Sequence, residues 1–127
     1  MGIFSSIKNA IFGKDEPKPA PPEEAQKARD NSITAEALRN ISRAGSVDVE
    51  DRLSKMEGAD RLNWRTSIVD LMKLLGIDSS YENRKELAQE MGRTDYEGSA
   101  EDNIWLHRRT MQELALNGGK VPDKMLD

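Results

Sequence analysis

The residue of this chain with the broadest chemistry is His107, the single histidine among 127 residues. An imidazole can take up or release a proton near neutral pH, so any acid–base mechanism must use it. Ser67 and Asp70 share one face of a predicted helix at i, i+3 and could complete a hydrolase triad with His107. A triad needs its hydroxyl at a strained turn or beside an oxyanion hole, and the sequence indicates neither. We favour a partly buried structural histidine that donates to a backbone carbonyl, with a hydrolase using His107 as an alternative.

The acidic residues near His107 do not have the spacing of metal ligands. Glu101 and Asp102 precede it by six and five positions, whereas two ligands on one helix are three or four residues apart. The loop from Asp95 to Glu101 has oxygens at alternate positions, as a calcium loop does, but Ala100 stands where the turn needs glycine. The chain has no cysteine, which excludes disulfides, thiolate metal sites and thiol catalysis. We expect no catalytic residue, no metal and no cofactor.

Charge and hydropathy argue against two further classes of protein, general nucleic-acid binders and membrane-spanning proteins. The net charge of −4 argues against general nucleic-acid binding, which needs a basic surface. The helix pair predicted over 64–75 and 80–91 has a helix-turn-helix spacing, so a nucleic-acid-linked regulator is a second alternative, although the second helix is acidic. No apolar run approaches the ~18 residues of a membrane span. We expect a cytoplasmic protein, with peripheral membrane contact left open.

Capped amphipathic helices must position any site in the second half of the chain. Each predicted helix follows a polar capping residue and ends near a glycine. The first predicted helix covers 64–75 after Asn63 and should be the central one. The second covers 80–91 after Ser79. The third covers 100–117 after Ser99 and is followed by a short turn from Pro122. The sequence therefore predicts an all-α fold, with a small C-terminal domain over 59–127 of three main helices plus a short terminal turn. No stretch has the alternation of a strand.

The region 33–58 carries two weaker helical patterns. Thr34 could cap a helix that ends at Arg43, and Ser46 could cap another in which Val49 and Leu53 recur at helical spacing. Both apolar stripes are narrow. These helices either dock on the core or stay partly disordered.

The spacing of apolar residues in the N-terminal segment 1–13 predicts a short amphipathic helix. Residues 14–32 contain four of the five prolines and predict a disordered, semi-rigid linker. We therefore expect residues 3–12 to move independently and to bind a membrane interface, a groove or their own domain. Lys8 and the amino terminus would suit anionic lipid. The candidate interaction residues are Ile3, Phe4, Ile7 and Ile11.

Three C-terminal stretches, LNWRTSIVDLMKLLGIDSS, NIWLH and NGGKVP, and the opening IF…AIFG resemble the DUF3597 family of small bacterial proteins of unknown function. The resemblance is close over the C-terminal domain and the N-terminal segment. It implies a helical C-terminal domain and a bacterial source, and it implies no activity.

The function that these features favour is that of a non-enzymatic interaction protein. Its helical domain would bind an unknown protein partner, and its N-terminal helix would attach reversibly to a membrane or a protein. Trp105, His107 and Arg108 form the candidate surface site of the domain. Self-association is left open, and nucleic acid is not an expected partner.

Overall fold

Helices make up most of the protein in the computed structural model, which describes residues 2–15 and 17–127. The elements in chain order are α1 (Ile3–Phe12), α2 (Pro22–Arg29), α3 (Ala35–Arg43), β1 (Val47–Asp48), α4 (Val49–Ser54), α5 (Ile68–Leu74), α6 (Tyr81–Glu90), α7 (Ala100–Leu116), β2 (Gly119–Lys120) and α8 (Asp123–Leu126). The prediction of a mainly helical protein is confirmed. Met1, in the predicted N-terminal segment, and Glu16, in the predicted linker, lie outside the described residues.

Helix α7 is the centre of the fold and begins as its sequence predicts. The Ser99 hydroxyl accepts a hydrogen bond from the amide of Asp102 at 3.1 Å, which satisfies a free N–H of the first turn. Leu106, Met111 and Leu114 on this helix are fully buried. Helices α3, α5 and α8 and strand β2 all contact α7. The apolar faces of the shorter helices thus pack against the longest one.

Helix α5 is shorter than predicted and does not have the central position expected for residues 64–75. Its N-cap is Ser67, which accepts from the amide of Asp70 at 3.2 Å. The Asp70 carboxylate in turn accepts from the amide of Asn63 at 2.9 Å. These two contacts hold residues 64–66 as turns. Helix α6 likewise starts one residue late, with Ser80 as its cap in place of Ser79.

Residues 33–58 are folded. Thr34 caps α3 as predicted, through the amide of Ala37, while α4 is capped by Asp48 and not by Ser46. Strand β1 pairs in parallel with β2 over two residues each, a pairing too short to leave an alternating pattern in the sequence. The buried Ser42 hydroxyl also donates to the carbonyl of Val121 at 2.9 Å. Docking on the end of α7 thus compensates for narrow apolar stripes.

The predicted disordered linker contains helix α2, so the structure departs from the prediction here. Pro22 occupies the first turn of α2, where its missing N–H costs nothing. Ala25 is buried, and just before the helix the amide of Ala20 donates to the carbonyl of Leu116 at 2.8 Å. Proline content indicates where a helix is interrupted, but it does not exclude a helix that a neighbouring surface stabilises.

Helix α1 lies within the predicted segment 1–13 but does not have the predicted independence. Its residues Ile7, Ile11 and Phe12 are 0%, 1% and 3% exposed and belong to the same apolar core as Val49 and Leu53 of α4. Its apolar face packs against α4 and α6. The amphipathic segment therefore finds its apolar surface within its own chain. No helix in the described part of the chain is long and apolar enough to cross a membrane.

Candidate functional site

A groove of about 670 Å³ opens between the N-terminal part of the chain, α3 and the end of α7. Its first wall comes from the chain around the start of α2, and contains Lys18, Pro19, Ala20, Pro21, Glu24 and Lys27. Its second wall comes from α3 and its flanks, and contains Ile33, Ala37, Asn40, Ile41, Ala44 and Gly45. Ala115 and Gly118 complete the lining. Two consecutive segments of the chain and the end of α7, which is far from both in sequence, thus form one concave surface.

The groove is apolar inside and carries charge at its edge. Alanine, proline and isoleucine dominate the lining, and the volume falls within the roughly 300–1,000 Å³ typical of ligand sites. Lys18, Lys27 and Glu24 are exposed, so two positive charges and one negative charge give this surface a local balance of +1 on a chain of net charge −4. The arrangement suits an apolar group that has a negative charge beside it.

We call residues 2–15 and 17–29 the N-terminal arm, because this stretch supplies the first wall. The arm is fastened first at the start of α1. The Glu90 carboxylate on α6 accepts hydrogen bonds from the amides of Ile3 at 2.8 Å and Phe4 at 3.2 Å. These amides have no partner within their own helix, and the negative charge lies at the positive end of the helix dipole. Glu90 therefore caps α1 from another element.

The second fastening is at the end of α1. Arg52 on α4 donates through Nη1 to the carbonyls of Ile11 at 3.1 Å and Phe12 at 3.0 Å. Its Nη2 forms an ion pair with Asp15. A cation next to the last carbonyls of a helix is favourable for the same dipole reason. Both ends of α1 are thus held by charged side chains of other helices.

The third fastening joins α2 to α7. Arg29 donates through Nη2 to Glu113 at 2.6 Å, and Arg109 reaches the same carboxylate at 2.9 Å. Burial alone would raise the pKa of Glu113, but the hydrogen bond from Arg29 and the charges of Arg109 and Arg29 outweigh it, so the pKa lies below its ordinary value. The pKa of Arg29 is raised, chiefly by its hydrogen bond to Glu113. Arg29 and Glu113 are therefore both ionised at neutral pH. We call the contacts of Glu90, Arg52 and Arg29 with their partners the three clasps.

His107 is a structural residue, as the sequence predicts. It is 5% exposed, and its Nε2–H donates to the carbonyl of Trp64 at 2.8 Å. Burial lowers the pKa of His107, partly opposed by this hydrogen bond. The Ser67 hydroxyl caps α5 and the Asp70 carboxylate accepts from the amide of Asn63, so both groups of the proposed triad already have structural partners. Within the described residues no three histidine or acidic side chains cluster in a way that could hold a metal ion.

The comparisons with known proteins identify the family of this molecule. A family model described as a domain of unknown function, DUF3597, matches residues 3–122. The chain belongs to the DUF3597 family. A solution structure of a conserved unknown protein from Rhodopseudomonas palustris is similar to it, with 41% sequence identity, 98% of each chain covered and a TM-score of 0.61. No curated protein matches the chain significantly.

The residues predicted to form an N-terminal interaction surface lie mostly inside this DUF3597 protein. Ile7 and Ile11 are buried, and Ile3 and Phe4 are partly buried against the core. A docked α1 therefore does not present the four side chains to a membrane or partner. They are apolar contacts of the fold in this arrangement.

The predicted surface site of Trp105, His107 and Arg108 is not one surface in this family member. Trp105 is partly exposed, with the Arg93 guanidinium 4.1 Å from its ring centre. Arg108 borders a small cavity beside Leu126, whereas His107 faces the core. Residues 105 and 107 are about 200° apart around a helix, because each residue turns the chain by about 100°. Neighbours in sequence are therefore on opposite sides of α7.

The groove was not among the sites predicted from the sequence. Ala37 and Ile41 of α3 and its C-cap residue Ala44 recur at i, i+4 and i+7, which is the spacing of one helix face and could have indicated the second wall. The first wall gave no such signal, because it belongs to the stretch predicted to be a disordered linker. A site formed by a helix and a proline-rich segment has no sequence motif.

Proposed function

We propose that this DUF3597 protein is a non-enzymatic interaction module that holds an apolar segment of a partner protein in the groove between the N-terminal arm and α3. The observation that supports the proposal is the combination of an apolar interior of about 670 Å³ with two lysines at its edge. The partner segment would carry acidic residues beside its apolar ones.

The small side chains of the groove leave its volume for a ligand. Ala20, Ala37 and Ala44 end at Cβ, so a partner must supply the bulk that fills the space between the walls. Covering apolar surface is favourable by roughly 25 cal/mol per Å². Lys18 and Lys27 would then favour partners with a negative charge near the apolar residues, since complementary charge increases association rate and selectivity.

An enzyme is less well supported than a binding module. The polar side chains that line the groove are Lys18, Glu24, Lys27 and Asn40. Only lysine and glutamate among these could transfer a proton, and all three such residues are exposed at the edge. Attachment through α1, the other mode of binding that the sequence suggests, requires this helix to leave the core. The groove is accessible without that change.

The first experiment selects ligands and tests where they bind. Random short peptides displayed on phage are selected on the full-length protein, and the enriched peptides are synthesised. We expect apolar peptides with acidic residues, and we expect Ala37→Trp, which fills the groove, to weaken their binding at least tenfold. Ala10→Trp, at an exposed position of α1 outside the groove, is the matched control. Peptides that bind Ala37→Trp as well as the wild type would exclude the groove.

The second experiment tests the charge of the partner. The double variant Lys18→Glu and Lys27→Glu should weaken the selected peptides at low salt and have less effect at high salt, where the charges are screened. The control for net charge makes the same change in charge elsewhere, by Lys73→Glu together with Lys85→Glu at exposed positions of α5 and α6. An equal effect of the control and the variant at Lys18 and Lys27 would show that overall charge, not the groove, determines binding.

A further inference from the structure

We infer that the N-terminal arm is a movable wall of the groove, fastened by the three clasps, whose release dismantles the groove and whose docking is stabilised by a bound ligand. This inference rests on the proposed function for the identity of the site, and it adds how occupancy of that site would be regulated.

Helix α1 lacks the local residues that would stabilise it as a separate helix. Gly2 precedes it and has no side chain to cap it, its first turn has no acidic residue and its last turn no basic residue. Glu90 and Arg52 supply these contacts from α6 and α4. A ten-residue helix is marginal on its own in water. Undocking therefore removes both caps at once, and α1 should lose its helical structure when it leaves.

Two of the three clasps contain an ion pair with at least one partner exposed to solvent, although Glu113 is largely buried, and the Glu90 clasp is a charged hydrogen bond at the surface. The side chains of Arg52 and Asp15 are 36% and 58% exposed, and that of Arg29 is 41% exposed. Exposed ion pairs are weakened by salt, whereas the apolar contacts that hold α7, and those that Ile7 and Ile11 of the arm make with the core, are not. Raised ionic strength should therefore loosen the arm before it affects the rest of the core.

The first wall of the groove lies between the clasps in the sequence. Lys18 to Pro21 follow the Arg52–Asp15 pair, and Glu24 and Lys27 precede Arg29. The backbone of this wall is joined to α7 by the bond from Ala20 to Leu116. The wall cannot stay in place when the arm departs. A ligand that contacts both walls must therefore favour the docked arm, because coupling between two binding equilibria is reciprocal.

Amide hydrogen exchange of the full-length protein, measured by NMR, tests whether the arm is a separate unit. We expect amides of α1, α2 and Ala20 to exchange at least tenfold faster than those at the centre of α7, and about fivefold faster again in Arg52→Gln or Glu90→Gln, as the loss of a cap worth about 1 kcal/mol requires. High salt should have the same effect on the wild type, which needs no variant. The control variant is Lys55→Gln, which removes the exposed ion pair between Lys55 at the end of α4 and Asp51 within it. This variant should leave the exchange of the arm unchanged.

The outcomes separate this inference from the proposed function. If amides of the arm and α7 exchange at the same rate and respond together to salt and to the variants, the arm opens only by global unfolding and the inference is overturned. A groove-binding peptide should slow exchange of the arm at least threefold, and unchanged exchange with the peptide bound would also overturn it. Failure to select any peptide, with faster exchange confined to the arm, would instead reject the proposed function and retain the separable arm.

Discussion

The carboxylate of Glu90 lies 2.8 Å from the amide nitrogen of Ile3, although the two residues are 87 positions apart. It does for α1 what Ser99 does for α7, since both accept a hydrogen bond from a free N–H at a helix start. The cap of α7 is local and readable from the sequence. The cap of α1 exists only when the two helices meet, which couples the order of the N-terminus to the tertiary structure.

Replacement of Glu90 by glutamine should lower the free energy of unfolding by about 1 kcal/mol. The neutral amide is a weaker hydrogen-bond acceptor, and it places no negative charge at the positive end of the helix dipole. Urea denaturation followed by circular dichroism measures this. Glu86→Gln, at an exposed position of the same helix, should change the value by much less. Equal losses in the two variants would mean that the cap does not stabilise α1.

Truncation of Ile7 to alanine should destabilise the protein by about 3 kcal/mol, since it removes a fully buried side chain and leaves a cavity beside α4. The exposed neighbour Ser6 provides the control, and Ser6→Ala should have little effect. Thermal unfolding of the two variants gives the comparison. If Ile7→Ala is as stable as the wild type, α1 is not part of the core in solution.

The free energy of unfolding should fall as the pH is lowered below the ordinary pKa of histidine, because His107 takes up a proton less readily in the folded protein than in the unfolded chain. Its pKa is depressed by burial in the folded state, so the unfolded chain takes up a proton first, near pH 6.5. The contribution of His107 is therefore complete above about pH 6.5 and is lost as the pH falls towards the folded-state pKa, by at most about 1.4 kcal/mol per pH unit.

The matched variant for this pH dependence is His107→Gln, whose side-chain amide can still donate to the carbonyl of Trp64 and does not titrate in this range. Urea denaturation between about pH 5 and pH 7.5 should show a smaller slope for the variant than for the wild type. The same slope for both proteins would show that other groups account for the loss.

Introduction of a side chain at Gly45 should be costly, because its Cβ would lie 2.6 Å from the carbonyl carbon of Gly119 and 2.7 Å from its oxygen. These are backbone atoms next to the β1–β2 pairing and cannot rotate away. We expect Gly45→Ala to lower the free energy of unfolding by about 2 kcal/mol, as measured by urea denaturation. Ser46→Ala, at the exposed adjacent position, should be nearly neutral. A stable Gly45→Ala would indicate that β1 and β2 can separate.

Several features of the fold could be predicted from short stretches of sequence. Thr34 and Ser99 start their helices because a hydroxyl can bond an amide three residues ahead whatever the rest of the chain does. The role of His107 followed from its position on the apolar stripe of a helix, which directs it towards the core and a carbonyl partner.

What the sequence by itself determined is therefore the set of contacts that depend on residues a turn or two apart: helix periodicity, local caps and the apolar face of each helix. Only the tertiary structure decided which other elements those apolar faces pack against. The docking of α1, the order of α2 and the groove all depend on partners such as Glu90, Arg52 and Glu113, which approach the arm only after the chain has folded back. The physical reason is that a long-range ionic or apolar contact leaves no periodic signal near either residue, so neither end of the contact indicates the other.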